Sequence, residues 1–238
     1  MTGDESPLRL GTRGSALALA QAGQVADALG GAEIVTIRTS GDEGRAGSST
    51  MSGQTRPEGG DKARFVREIE RALLAGEIGL AVHSAKDLPT ELPEGLTIAG
   101  VPEREDPRDA YVGAAGSIDE IPEGARVGTS SLRRRAQLLS ARPDIEVVEM
   151  RGNVDTRLRK LAEGDLDGIV LAAAGLRRLG RGDEAAFAFE GDELTPAAGQ
   201  GALAIEARMG DSRLIALAES ITDRGALGRL ACERAAVS

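Results

Sequence analysis

The chain passes from a short apolar strand into a helix at Gly128-Thr129-Ser130-Ser131-Leu132-Arg133-Arg134-Arg135. A helix start offers free backbone N–H groups to an anion, and arginines beside it suit bidentate contacts with carboxylate or phosphate. Similar strand-to-helix turns occur at Thr12-Arg13-Gly14-Ser15, at 151–157 and, less distinctly, at 175–178. Several arginine-bearing turns of this kind predict a ligand that carries many carboxylates.

Strands and helices alternate along most of the chain. Apolar and β-branched runs predict strands at 8–11, 33–38, 80–83, 96–101, 126–128, 146–150, 168–171 and 202–205. Helical spacing predicts helices at about 15–29, 63–75, 131–141, 153–162 and 173–179. This order predicts an α/β protein with mixed, mostly parallel sheets whose ligands lie at the carboxyl ends of strands.

Two segments without a strand or helix pattern interrupt the alternation. Prolines and alternating charges at 102–108, and a polar stretch at 191–196, predict crossings between two domains that face each other across a cleft. We expect domain 1 to comprise 1–102 and 197–220, and domain 2 to comprise 103–196. Residues 40–61 contain almost nothing apolar, and this predicts a loop.

Composition limits the kinds of protein that this chain represents. Its 238 residues carry a net charge of −9, yet only Lys62, Lys86 and Lys160 are lysines, and aromatic residues make up 2%. Such an acidic, lysine-poor composition predicts a protein adapted to concentrated salt, where surface repulsion is screened. The negative charge disfavours nucleic acid as a partner.

Several kinds of site and compartment are disfavoured by the same counts. With one cysteine, Cys232, and one histidine, an internal disulfide and a zinc site are excluded. The polar residues 1–9 do not resemble a secretory signal, and no apolar stretch is long enough to cross a membrane. We therefore expect a cytoplasmic protein without a metal. Nothing indicates an extensive apolar interface, which favours a monomer.

A second informative stretch is His83-Ser84-Ala85-Lys86-Asp87-Leu88-Pro89, which follows the apolar strand at 80–83. It places a cation and a carboxylate at the end of a strand, where α/β proteins bind ligands. Each feature also has a simpler explanation. Arginine pairs commonly lie on solvated helix faces, and hydroxyl residues commonly cap helices. His83 could lie in the core, Lys86 and Asp87 could form a surface pair, and Cys232 could be a buried apolar residue.

Taken in order, six motifs resemble the porphobilinogen deaminase family from about residue 8 to residue 235. They are Leu10-Gly11-Thr12-Arg13-Gly14-Ser15, His83-Ser84-Ala85-Lys86-Asp87-Leu88-Pro89, Glu103-Arg104-Glu105-Asp106-Pro107-Arg108-Asp109-Ala110, Gly128-Thr129-Ser130-Ser131-Leu132-Arg133-Arg134, Arg151-Gly152-Asn153-Val154 and Gly199-Gln200-Gly201. The resemblance implies two domains similar to periplasmic binding proteins, followed by a small third domain. It also implies a transferase that joins four porphobilinogen molecules into hydroxymethylbilane, starting from a dipyrromethane primer.

The resemblance assigns roles to particular positions. It implies that Asp87 is catalytic, stabilising cationic intermediates and handling pyrrole protons, and that Phe65 borders the site while residues 40–61 act as a lid. It further implies that the carboxylates of cofactor and substrate are bound at Arg13, Ser15, Lys62, Ser84, Lys86, Thr129, Ser130, Ser131, Arg133, Arg134, Arg151, Gly152, Asn153, Arg157, Arg178 and Gln200.

One feature departs from the family pattern. The family attaches its primer to a cysteine in a Gly-Gly-Cys turn beyond the Glu233-Arg234-Ala235 helix, and this chain ends at Ser238. We therefore expect residues 221–238 to be a stub of the third domain and the chain to lack the attachment cysteine, with weak activity or none. The alternative is a non-catalytic binding module for a polycarboxylate ligand, in which Lys86 and Asp87 would have no chemical task.

Overall fold

The computed structural model describes residues 7–38 and 66–238. Within these ranges the strands are β1 (Arg9–Arg13), β2 (Glu33–Ile37), β3 (Leu80–Ser84), β4 (Leu96–Gly100), β5 (Asp109–Gly113), β6 (Arg126–Gly128), β7 (Glu146–Val148), β8 (Gly168–Ala172), β9 (Phe187–Ala188) and β10 (Leu203–Arg208). The helices are α1 (Ala16–Ala28), α2 (Arg67–Leu74), α3 (Leu132–Ala141), α4 (Val154–Ala162), α5 (Ala173–Arg178), α6 (Ser212–Ser220) and α7 (Arg224–Ala235), with short 3₁₀ helices at Ala85–Asp87 and Gly182–Glu184.

The chain forms two compact units. Unit 1 comprises Met1–Arg104 and Ala202–Ser238, and unit 2 comprises Glu105–Gly201. Helix α7 belongs to unit 1, where Ala226 and Leu230 pack into an apolar cluster with Ala85 and Leu88. Whether residues 221–238 also begin a third domain stays a prediction.

Each unit contains one five-stranded mixed sheet. The strand order is β2-β1-β3-β10-β4 in unit 1 and β7-β6-β8-β5-β9 in unit 2. In unit 1, β10 is antiparallel to both neighbours, so the other four strands share one direction. In unit 2, β5 alone runs against the other four. The predicted α/β class with mixed, mostly parallel sheets is confirmed.

Helices cover the two sheets, and three of these helices begin with a side-chain cap. Ser15, Ser131 and Asn153 accept hydrogen bonds from the first-turn N–H groups of α1, α3 and α4. Such caps satisfy backbone donors that the helix itself leaves open. One face of the unit 1 sheet buries Leu10, Leu80 and Ile205 against α1 and α6. In unit 2, the core is built around Tyr111 and Phe189 together with aliphatic side chains.

The structure corrects several expectations about the elements. Residues 109–113 form β5, residues 187–188 form β9 and residues 212–220 form α6, none of which the pattern predicted. Strand β10 runs on to Arg208, beyond the predicted end at 205. Cys232 was expected to be buried, but it is exposed because Ala226 and Leu230 define the buried side of α7 and residue 232 lies about half a turn away.

Candidate active site

The carboxyl ends of β1 and β3 lie side by side in unit 1, because these two strands are parallel neighbours. Beyond β1, the Ser15 hydroxyl accepts the Ala18 N–H at 3.3 Å and begins α1. Thr12 is buried, and its hydroxyl donates to the Ala18 carbonyl at 3.3 Å. Arg13 is half-buried between them. The predicted turn at the start of α1 is therefore present, with the Ser15 hydroxyl used as a cap.

Beyond β3, the chain enters the 3₁₀ helix that carries Lys86 and Asp87. The Ala85 N–H donates to the Ala202 carbonyl at 3.0 Å, and Ala85 and Leu88 are both 3% exposed. Lys86 and Asp87 between them are half-buried. No hydrogen bond or ion pair from the described part of the chain reaches the Asp87 carboxylate. The turn thus places the half-buried Asp87 at the carboxyl edge of the sheet, one residue after Lys86.

His83 lies beneath this turn and is a core residue. Its Nε2 is 3.1 Å from Oε2 of Glu206 on β10, and both side chains are almost completely buried. Glu70 of α2 faces the same region, where burial, followed by the charge of Glu206, raises the pKa of its carboxyl. The interpretation of His83 as a satisfied core histidine is confirmed.

In unit 2, the carboxyl ends of β6, β7 and β8 share one edge, since β6 is parallel to both of the others. Thr129 is buried, and its hydroxyl accepts the Ser131 N–H at 3.2 Å. The Ser131 hydroxyl in turn accepts the Arg134 N–H at 3.4 Å. Beyond β7, the Asn153 side chain accepts the Thr156 N–H at 3.0 Å, after Gly152 with φ of +132°. These polar residues shape the helix starts, and Ser130 remains exposed.

A buried carboxylate organises the arginines at this edge. Oδ1 of Asp109, the first residue of β5, accepts Nε and Nη2 of Arg134 at 2.9 and 2.6 Å. Its Oδ2 is paired with Nη2 of Arg133 at 2.7 Å, and Gln200 donates to Oδ1 at 2.8 Å. Burial raises the pKa of Asp109, but the charge and hydrogen bonds of Arg134 outweigh it, and the net pKa is lowered. Arg134 also donates to the Val170 carbonyl at 2.9 Å, so each of its three nitrogens is engaged.

Two other arginines of unit 2 are largely buried, and within unit 2 no carboxylate is bonded to their guanidinium groups. Arg157 donates from Nη2 to the Ser130 hydroxyl at 3.2 Å, and its buried Nε has no hydrogen-bond partner among the described residues. Burial, and then the charge of Arg134, lower the pKa of Arg157 to about 10. Arg178 donates to the Gly201 carbonyl at 2.7 Å, and burial lowers its pKa although Glu105 partly opposes this. Both groups present a poorly compensated positive charge.

The remaining predicted residues differ in their burial and in their hydrogen-bond partners. The Arg151 guanidinium is largely exposed and donates to Glu149 at 2.7 Å. Ser84, the last residue of β3, is half-buried. Gln200 is buried and donates to the Pro107 carbonyl at 2.6 Å as well as to Asp109. Lys62, Phe65 and the expected lid at 40–61 lie outside the described residues.

Sequence reasoning missed Asp109 and Glu206, which are buried acids next to these edges. Asp109 lies in one of the six motifs, but the resemblance assigned no role to it. A signal existed in the helix, because Arg134 and Leu138 are spaced i, i+4 and both are buried on one face of α3. That spacing indicates an inward-facing arginine, and a fully buried arginine is commonly paired with a carboxylate.

The fold and these edges first define a class of protein. Two similar α/β units with polar, arginine-rich carboxyl edges have the fold of periplasmic binding proteins. Immunogenic lipoprotein A from Vibrio vulnificus is 13% identical with a TM-score of 0.52, covering 94% of this chain and 98% of its own. An ABC transporter periplasmic substrate-binding protein from Coxiella burnetii is 14% identical with a TM-score of 0.50, covering 93% and 94%. At these identities the likeness concerns the fold alone.

The particular family follows from the sequence itself. The chain belongs to the porphobilinogen deaminase family, because residues 8–216 match the family described as "Porphobilinogen deaminase, dipyromethane cofactor binding domain". It is 48% identical to a porphobilinogen deaminase of Syntrophus aciditrophicus (strain SB) over 235 residues, covering 96% of this chain and 74% of that one. It is 49% identical to one of Paracoccus denitrificans (strain Pd 1222) over 244 residues, covering 99% and 76%.

The activity predicted from the six motifs is confirmed by these relatives. The protein is a hydroxymethylbilane synthase, a transferase of tetrapyrrole biosynthesis that condenses porphobilinogen molecules with loss of ammonia. Its cofactor is dipyrromethane. The residues present fit that group, because each of its pyrroles carries two carboxylates and unit 2 holds the buried Nε of Arg157, which has no hydrogen-bond partner among the described residues. Among the described residues, no helix has both the length and the apolar character needed to cross a membrane.

Proposed function

We propose that Asp87 is the catalytic residue of this synthase. The observation that carries the proposal is the half-buried Asp87 carboxylate, which stands at the carboxyl edge beside Lys86 and makes no hydrogen bond or ion pair with the described residues. A carboxylate that is not engaged by the described residues is available to a cationic ligand.

The chemistry of porphobilinogen explains what such a carboxylate does. Breaking the bond to the leaving ammonia converts the substrate into a cationic azafulvene. A pyrrole α-carbon then attacks this carbon, a C–C bond forms, and the attacking ring becomes cationic until its α-proton leaves. Asp87 stabilises the positive charge in both stages and accepts protons from the pyrrole groups. A carboxylate in a partly desolvated setting stabilises such cations more than water does.

We further propose that arginines bind the acetate and propionate groups of the cofactor and the growing chain. Arg157 and Arg178 are the strongest candidates, because their guanidinium groups are desolvated and lack a carboxylate partner in unit 2. Arg13, Arg133 and Arg151 add cations at the carboxyl edges, and Arg134 contributes by holding Asp109 in place. The hydroxyls of Ser15, Thr129, Ser130 and Ser131, with Ser84, Gly152, Asn153 and Gln200, shape these edges. Dipyrromethane, when bound, supplies the free pyrrole end from which the tetrapyrrole grows.

The decisive experiment is the isosteric substitution Asp87→Asn in the holoenzyme, with Asp192→Asn as the control at an exposed position. We expect kcat to fall by about 10²-fold or more, as for loss of a general acid–base group, while the fold and the bound cofactor are retained. Asp192→Asn should turn over like the parent. Normal turnover by Asp87→Asn would overturn the catalytic assignment.

We also propose that the enzyme acts in the cytoplasm as a monomer without nucleic acid. A lone, exposed Cys232 is typical of a reducing compartment, and the net charge of −9 opposes binding to phosphate backbones. Light scattering after size exclusion should give the mass of one chain. A mobility-shift titration with duplex DNA at low salt should show no complex, and a stable dimer or a DNA complex would contradict these proposals.

A further inference from the structure

The turn that carries Asp87 is short and depends on its surroundings for its position. The 3₁₀ helix Ala85–Asp87 has only three residues, and the Leu88 N–H donates to the Ala85 carbonyl at 3.3 Å at its end. Proline follows at position 89, which removes a further backbone donor. A carboxylate on such a turn moves with the backbone unless other elements hold both ends.

The first end of the turn is held by the neighbouring strand. Strand β10 pairs with β3 in antiparallel register, with Leu203 opposite Ser84 and Ala204 opposite His83. The buried contact between His83 and Glu206 adds a side-chain link across the same two strands. The backbone is therefore fixed as far as Ala85, whose N–H donates to Ala202.

The second end of the turn is held by α7. Nη2 of Arg234 donates to the carbonyl oxygens of Pro89 and Thr90, at 2.8 and 2.7 Å, directly beyond Asp87 and Leu88. One turn earlier on the same helix face, Leu230 is 1% exposed and packs into the cluster that contains Leu88. Burial lowers the pKa of Arg234, and the charge of Glu206 partly restores it. The same buried acid therefore acts on both ends of the turn.

We infer that Arg234 is a positioning residue for Asp87. By bonding two consecutive carbonyls beyond the turn, its guanidinium fixes the segment at 88–90 and with it the placement of the Asp87 carboxylate. The Arg234 side chain itself does not take part in the chemistry. The inference rests on the proposed catalytic role of Asp87, and it assigns to α7 a task in turnover as well as in packing.

The test compares Arg234→Ala with Arg229→Ala, which removes an exposed arginine from the same helix. We expect Arg234→Ala to lower kcat about tenfold or more with KM nearly unchanged, since misplacement of a catalytic group by about 1 Å costs up to about 10²-fold. Guanidinium added well below denaturing concentrations should restore part of kcat by occupying the vacated position. Hydrogen exchange should accelerate in the peptide spanning 84–92, and Arg229→Ala should show neither effect.

The outcomes separate this inference from the proposed function. Asp87→Asn is assayed alongside, and if that variant turns over normally, the catalytic assignment itself fails. If Asp87→Asn is inactive while Arg234→Ala matches Arg229→Ala in kcat and exchange, only the positioning role fails. A loss of kcat that guanidinium does not restore would also overturn it. Should Arg234→Ala not fold, Arg234→Met, which keeps a long side chain but has no N–H donor, decides: a reduced kcat with constant KM supports the inference, and parent kcat refutes it.

Discussion

Replacing Arg157 by methionine tests whether the positive charge of Arg157 is left uncompensated by unit 2 and is therefore available to the ligand. Burial and the charge of Arg134 lower the pKa of Arg157 to about 10, so the folded protein disfavours its charged form. Between that value and the usual pKa of arginine, the folded state binds fewer protons than the unfolded chain, and stability rises with pH there. At neutral pH the destabilisation is therefore present in full. It amounts to about 3 kcal/mol, since each pKa unit is worth about 1.4 kcal/mol.

The loss of one hydrogen bond reduces the gain that the substitution can deliver. Arg157→Met loses the hydrogen bond to Ser130, worth about 1 kcal/mol. Methionine retains most of the apolar contact that the arginine stem makes. We therefore expect the protein without cofactor to become more stable by about 1–2 kcal/mol, which raises Tm by about 2–6 °C for a chain of this size.

The assay is thermal and urea unfolding of protein made in a host that produces no porphobilinogen, so that no cofactor assembles. Arg159→Met is the matched control, because Arg159 lies on the same helix, is largely exposed and pairs with Glu163. Its effect should stay within about 0.5 kcal/mol. In the presence of porphobilinogen, Arg157→Met should lose affinity for the cofactor by about tenfold or more, as expected for a charge-assisted hydrogen bond. If Arg157→Met destabilises the cofactor-free protein, the charge is compensated within unit 2 and the reasoning is refuted.

Two further predictions concern pH and salt. The pKa of Glu70 is raised by burial and by Glu206, with smaller opposing effects from His83 and Arg67. The stability that protonated Glu70 contributes is therefore lost as pH rises through that raised value. Glu70→Gln should therefore leave the urea midpoint nearly unchanged at about pH 4 and raise it at about pH 7, and equal parent and variant midpoints at the higher pH would contradict this. The acidic, lysine-poor composition predicts that the midpoint increases from about 0.1 M to about 2 M potassium chloride as repulsion is screened, and a constant or falling midpoint would refute salt adaptation.

Local signals in the sequence predicted most of the parallel strands and the helix starts. The caps at Ser15, Ser131 and Asn153 are short-range hydrogen bonds between residues three apart, and such contacts are encoded in adjacent sequence. The apolar runs of β3 and β8 are buried on both faces, which makes them recognisable without knowledge of their partners. The placement of polar turns at the carboxyl ends of these strands follows from the parallel order alone.

The elements that were missed depend on contacts between distant parts of the chain. Strand β5 begins with the charged Asp109, directly after a proline-rich crossing, so its first residue does not resemble a strand. Asp109 is buried only because Arg134 and Arg133, twenty-five and twenty-four positions further along, turn towards it. Of the three consecutive arginines on α3, position in the helix decides which is buried. Glu206 likewise stands in an apolar strand, and alternation alone would have placed it at the solvent.

The two missed acids share a topological position. Strands β5 and β10 are the only antiparallel strands of their sheets within the described residues, and the chain enters each of them from a crossing between the units. Each brings a buried carboxylate to the neighbouring strand or helix of the carboxyl edge: Asp109 pairs with Arg134, and Glu206 pairs with His83. Breaking the buried pair of Asp109 and Arg134 by removing one member costs about 3–5 kcal/mol, because it leaves an unpaired buried charge. Each carboxyl edge therefore depends on a strand that the chain enters directly from a crossing.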